Sequence, residues 1–131
     1  MNETTFKPDA ALLKRMPTFS SRMAGVSPER LEAWLDRRSQ RQTGFVNAAG
    51  ALTSTARDQV RFYRLHSKQG NVGERQIIPA DVLVGLYQPQ PASDEYGLGF
   101  KLHGKGLVGH GGATGTAGKV DLKNDRILFV L

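Results

Sequence analysis

The feature that most constrains this chain is its last stretch, where a histidine flanked by glycines opens a strand-turn-strand pattern. Residues 117–122 read as a short strand, Lys123, Asn124 and Asp125 supply turn chemistry, and Arg126 to Leu131 form an almost purely apolar run. A run of that kind predicts a strand buried on both faces, and the two strands pair as a hairpin. Upstream, His110 is followed by Gly111 and Gly112, with Gly115 close behind. The backbone there lacks side-chain bulk, so another molecule can approach it beside a polar side chain.

The remaining elements come mostly before these strands. Residues 9–16 predict a short helical turn and 17–27 a loop. Ser27 caps a helix with Pro28 in its first position. The stretch from Gln40 to Ala51 reads as irregular. Thr55 and Asp58 have the spacing of an acidic capping box, opening a helix through about Lys68 that ends near Gly70, with Val60, Phe62 and Tyr63 as its apolar face. Pro79 opens another helix with Val82, Leu83 and Leu86 inward, 88–94 is a loop, and Tyr96 to His103 begins the strands. Helices followed by three or four antiparallel strands give an α+β class, mostly helix and loop over 1–95 and strands over 96–131.

Composition excludes several function classes. There is no cysteine, hence no disulfide framework and no thiolate metal site, and no metal or cofactor is expected. No apolar run reaches membrane-spanning length. The net charge of +6 invites a nucleic-acid reading, with Arg30, Arg37, Arg38 and Arg41 in one segment. Glu29, Glu32 and Asp36 interleave with those arginines, so a solvated helix face with Leu31, Trp34 and Leu35 inward is the better account, and no nucleic-acid partner is expected. Gly104-Lys105-Gly106-Leu107-Val108-Gly109 spells a dinucleotide-binding fingerprint after a strand, but no helix follows it. It reads as a hairpin turn. Lys119 after Gly118 lacks the first glycine and the Ser or Thr of a phosphate loop.

His110-Gly111-Gly112-Ala113-Thr114-Gly115, followed by two apolar strands, resembles the third conserved motif of the serine beta-lactamase, penicillin-binding-protein and related esterase superfamily. There a Lys-Thr-Gly or His-x-Gly triplet lies on an edge strand beside the nucleophile, and the class C-like branch often continues with Ala-Thr-Gly. Three more segments resemble conserved stretches of that superfamily in the same order: Met1 to Pro8, Ala48 to Asp58, and Tyr96-Gly97-Leu98-Gly99-Phe100. Ala48 stands where proline is usual. The triplet has His and Gly where beta-lactamases proper have Lys and Thr, which favours an esterase or peptidase-like relative.

The resemblance implies a partial beta-lactamase/transpeptidase-like fold and acyl-enzyme hydrolysis of a small ester, amide or beta-lactam. It assigns catalytic parts to His110, in the place of the lysine, and to the Ala113 amide as one oxyanion donor, a contribution of roughly 3–4 kcal/mol in such enzymes. Gly111, Gly112, Thr114 and Gly115 would line the strand along which substrate lies. The Ser-x-x-Lys and Tyr-x-Asn or Tyr-x-Ser motifs that supply nucleophile and base are absent from this sequence. Ser27 and Ser54 are each followed three residues later by an arginine, which cannot act as base. Tyr63, Tyr87 and Tyr96 are followed two residues later by Leu65, Pro89 and Leu98. Ser54 reads as a helix-start residue, and His66 and His103 as surface residues. In the superfamily the missing motifs lie before the segment that Met1 opens, and a helix follows the last strand. The chain therefore reads as an internal or C-terminal portion of a longer hydrolase, inactive alone and self-associating through exposed strands. The alternatives are a non-catalytic binding module on the same fold and a stand-alone structural domain.

Overall fold

The computed structural model describes residues 2–16, 27, 29, 52–112 and 115–130. The expected helix after Ser27, with its arginines and Trp34, and the irregular stretch to Ala51 lie almost wholly outside them. The chain divides into two compact units, 1–58 and 59–131.

In the first unit, helix α1 spans Ala10–Lys14, and Asp9 caps it by accepting the Leu12 N–H at 2.8 Å. Thr5 and Thr53 pair as an antiparallel bridge with both N–H···O distances 2.9 Å. The buried Asp58 carboxylate accepts from the Glu3 N–H at 2.9 Å and the Thr4 hydroxyl at 3.0 Å, and the hydroxyls of Thr4 and Ser54 are 2.8 Å apart. Two of the segments that resemble the superfamily, 1–8 and 48–58, thus meet through one carboxylate and two hydroxyls. Glu3 also pairs with Arg15.

The unit boundary falls inside helix α2, Ala56–Ser67. Thr55 Oγ1 accepts the Asp58 N–H at 3.3 Å, as the capping spacing requires. The helix stops where the Gly70 N–H reaches back to the Leu65 carbonyl at 2.8 Å. Gly70 has φ +87°, and a Cβ there would stand 2.0 Å from the Ile78 carbonyl oxygen, so both conformation and space demand glycine. A two-stranded ribbon follows, β1 Asn71–Val72 with β2 Arg75–Gln76, then helix α3, Ala80–Leu86.

Strands β3 Lys101–Leu102, β4 Leu107–Gly111, β5 Ala117–Asp121 and β6 Arg126–Val130 form an antiparallel sheet in sequence order. The class is α+β, as expected. Gly104, Lys105 and Gly106 all have positive φ and turn β3 into β4, confirming a hairpin turn at the would-be dinucleotide fingerprint. Asp121 makes the β5–β6 turn: its Oδ1 accepts the N–H of Lys123 at 3.0 Å and of Asn124 at 3.1 Å, and the Asn124 amide donates to Oδ2 at 2.7 Å.

One face of the sheet carries the core. Tyr63, Phe100, Val108 and Val120 are buried together, with Leu86, Tyr87, Leu102, Leu122, Ile127 and Phe129 packed around them. Tyr63 lies directly over Gly118, where a Cβ would be 2.3 Å from its ring.

Three expectations are corrected. β6 is not buried on both faces: Ile127 and Phe129 turn to the core, while Leu128 is 57 % and Val130 45 % exposed. Strand side chains alternate, and the opposite sheet face shares its surface with Lys119 and Asp121. On the helices Val60, Phe62 and Val82 are exposed, whereas Tyr63 and Leu83 are buried. His66 is only 3 % exposed, because it follows Tyr63 by three residues and so shares its inward face. Its Nδ1 lies 2.5 Å from the Tyr87 hydroxyl, and the rings of Phe62 and Phe100 meet it edge-on at 4.6 and 4.9 Å. Burial lowers the His66 pKa and pushes that of Tyr87 up to about 12.

Candidate active site

The strand β4 exists because Leu107 and Val108 are sheet formers and the Gly104 to Gly106 turn returns the chain antiparallel to β3. Its register sets everything that follows. Lys101 pairs with Gly109 and Leu102 with Val108, and β3 pairs with no residue of β4 beyond Gly109. On the other side, β5 runs alongside all of β4, ending with His110 opposite Gly118 and Gly111 opposite Ala117. β4 is thus interior at its start and an edge, on the β3 side, at its end.

Hydrogen-bond alternation then aims the backbone. The Gly112 N–H donates to the Thr116 carbonyl at 2.7 Å, so Gly112 faces β5. In an antiparallel ladder neighbouring residues point their backbone groups to opposite sides, and Gly111 therefore faces the side that β3 leaves open. The Gly115 N–H closes the loop onto the Gly112 carbonyl at 3.0 Å, and φ +86° at Gly115 favours glycine there. Ala113 and Thr114 lie outside the described residues.

His110 stands exposed at this edge, on the same sheet face as Val108. Its Nδ1 is 2.6 Å from the Gly111 carbonyl oxygen. A carbonyl only accepts, so in the neutral ring Nδ1 carries the proton and Nε2 presents a lone pair. The Tyr96 ring lies beside it, centroids 6.1 Å apart with planes tilted by 50°. Gly109 is also a packing requirement, since a Cβ there would meet the Gly118 carbonyl oxygen at 2.2 Å.

The family model described as Beta-lactamase matches the chain over residues 1–131. The chain belongs to the beta-lactamase family. That membership gives it a serine-hydrolase-like relationship and a small-molecule class of substrate, and it accounts for why four separated segments resemble the superfamily in order. No curated protein and no solved structure matches the chain at a significant level. Among the described residues, no helix is long and apolar enough to cross a membrane.

Of the expected site residues of this beta-lactamase family chain, His110, Gly111, Gly112 and Gly115 come together at the end of β4. Ser54, read as a helix-start residue, has its hydroxyl beside that of Thr4. His66, Tyr63 and Tyr87 belong to the core on the same side of the sheet. By sequence Tyr96 opens the strands, belongs to the segment Tyr96-Gly97-Leu98-Gly99-Phe100 and lacks the Asn or Ser two residues on, and none of these places it beside His110. Its place beside His110 arises from tertiary structure, through the bridge between Tyr96 and Lys101 and the pairing of Lys101 with Gly109.

Proposed function

We propose that the end of β4 is one wall of an acyl-transfer cleft of a serine hydrolase that acts on a small ester, amide or beta-lactam. The observation that carries this reading is an exposed imidazole at the point where β3 pairing stops, next to glycine backbone on an open edge. A carbonyl substrate can lie along such an edge as an added strand would, and Gly111 and Gly112 offer no side chain to block it. Gly115 and, by sequence, Thr114 continue that line, and the Ala113 amide is the oxyanion donor of the reading.

His110 takes the lysine's place with different chemistry. With Nδ1–H turned to the Gly111 carbonyl, neutral His110 accepts a proton at Nε2 from a hydroxyl, and only its protonated form donates to a substrate carboxylate. The chain carries no Ser-x-x-Lys, so it contributes wall and proton acceptor rather than nucleophile. Alone, it forms no acyl-enzyme in this reading.

Two measurements test it together. Titrating the chain with a short-chain ester should shift the NMR signals of the His110 ring and of the Gly111 and Gly112 amides, and His110→Ala should weaken that response. Shifts confined to other parts of the chain would remove the cleft from β4. Intact mass after exposure to a fluorophosphonate should show no adduct, and an adduct would mean that another serine serves as nucleophile.

A further inference from the structure

Tyr96 is an aromatic residue held in place without being buried. The residue is 38 % exposed, and among the described residues its one ring neighbour is His110. The backbone around it is nonetheless fixed at several points. The Gln90 N–H donates to the Tyr96 carbonyl at 2.9 Å, and Tyr96 bridges to Lys101. The next residue, Gly97, packs so closely on the end of α3 that a Cβ would stand 2.1 Å from the Leu86 carbonyl oxygen. Gly97 donates to the Phe100 carbonyl and Leu98 to that of Leu86, each at 2.9 Å. The Lys101 ammonium lies 5.8 Å from the Tyr96 ring centroid and pairs with Glu95 at 3.2 Å.

Folding covers most of this residue, and the part that stays in water is left for a ligand. Two χ angles on a clamped backbone give a large flat contact area at low entropic cost, which is why such residues recur at binding surfaces. The ring continues the imidazole of His110 into a wall of two tilted planes.

We infer that Tyr96 is a specificity-determining substrate contact, selecting esters whose acyl or leaving group carries an aryl or other flat apolar moiety. This rests on His110 lying in the cleft, as proposed above. The hydroxyl has no part in it, so Tyr96→Phe should bind as the native chain does, while Tyr96→Ala should lose the flat surface.

The test is an NMR titration of the full chain with phenyl acetate and, separately, with ethyl acetate. Phenyl acetate should shift the ring signals of both Tyr96 and His110. Tyr96→Ala should weaken phenyl acetate binding by roughly two- to tenfold, the range for an aromatic pair, and leave ethyl acetate binding unchanged. The Tyr87 and His66 ring signals, from the bonded pair in the core, report that each variant is folded. Equal losses for both esters, or no loss for either, would overturn the role of Tyr96. If His110 responds and Tyr96 is silent, this inference fails and the cleft stands. If neither ester moves His110, the cleft itself is refuted and this inference with it.

Discussion

Acid should loosen the core through His66, and the effect can be sized from its surroundings. The side chain is 3 % exposed, its Nδ1 is bonded to the Tyr87 hydroxyl, and Nε2 is buried with no hydrogen-bond partner among the described residues. If Nδ1–H donates to Tyr87, Nε2 is a bare lone pair. Protonation would turn it into a buried N–H with no acceptor, and would place a charge among Phe62, Phe100 and Tyr87. Aromatic faces return up to about 2 kcal/mol to a desolvated cation, against several kcal/mol for burying an ion. Desolvation wins, and the folded pKa lies below the ordinary value of 6.5.

The sign follows from linkage. Below about pH 6.5 the unfolded chain binds a proton that the folded chain refuses, so the contribution of His66 is complete above that pH and is lost as pH falls toward the folded pKa. While that gap persists, one proton costs about 1.4 kcal/mol per pH unit. The assay is urea unfolding followed by near-UV circular dichroism at a series of pH values from neutral to mildly acidic. All three tyrosines lie in the second unit and the single tryptophan, Trp34, in the first, so in a Trp34→Phe background the tyrosine signal reports the second unit. His66→Leu should flatten the slope just below pH 6.5. His103, whose pKa is also lowered, by slight burial and by Lys119 and Lys101, is exposed and stays in both proteins, so the difference isolates His66. Equal slopes in native and variant chains would refute the reasoning.

Other substitutions follow from contacts already described. Gly118→Ala should destabilise the second unit by about 1–3 kcal/mol, since its Cβ would meet the Tyr63 ring at 2.3 Å, and adding Tyr63→Leu should recover part of the loss in a double-mutant cycle. Tyr87→Phe should cost about 1–3 kcal/mol by leaving both His66 nitrogens buried without partners, measured by the same unfolding assay. Asp58→Ala should free the Glu3 amide, seen as faster hydrogen exchange there, with a loss of about 1–3 kcal/mol. Leu128 and Val130 place apolar surface on the exposed face of β6, so we propose that the chain self-associates there; sedimentation velocity should show a concentration-dependent larger species that Leu128→Lys removes, and a monomer at all concentrations would refute this.

Much of this was legible in the chain, and the failures have specific physical causes. Thr55 and Asp58 announced α2, Pro79 announced α3, and the glycines around Lys105 announced a turn, because capping and positive φ are local chemistry. The β1–β2 ribbon was missed: Asn71 to Gln76 is mostly polar and has no alternation to read. In β6, four consecutive apolar residues hid the period of two, and only the sheet's covered face decided that Ile127 and Phe129 point inward. The run Val82-Leu83-Val84 similarly covers more of the helix surface than the core can take, so Leu83 is buried and its neighbours are not. His66 was readable, three residues after Tyr63, but polarity argued for the surface. At the site, the histidine and glycines were visible as one contiguous motif. Tyr96 was not, because its partnership with His110 exists only once β3 has paired with β4.

The contact of Tyr63 with Gly118 has a consequence for how β5 finds its place. Gly118 is flanked by Ala117 and Lys119, and the ring leaves no room for even a methyl group. A slip of β5 by one position would put one of those side chains under the helix, so only one alignment of the hairpin lets α2 seat on the sheet. A residue with no side chain thereby acts as the keyway into which the tyrosine fits, and the error it rejects is the one that would turn Val120, on the core face of β5, out to solvent.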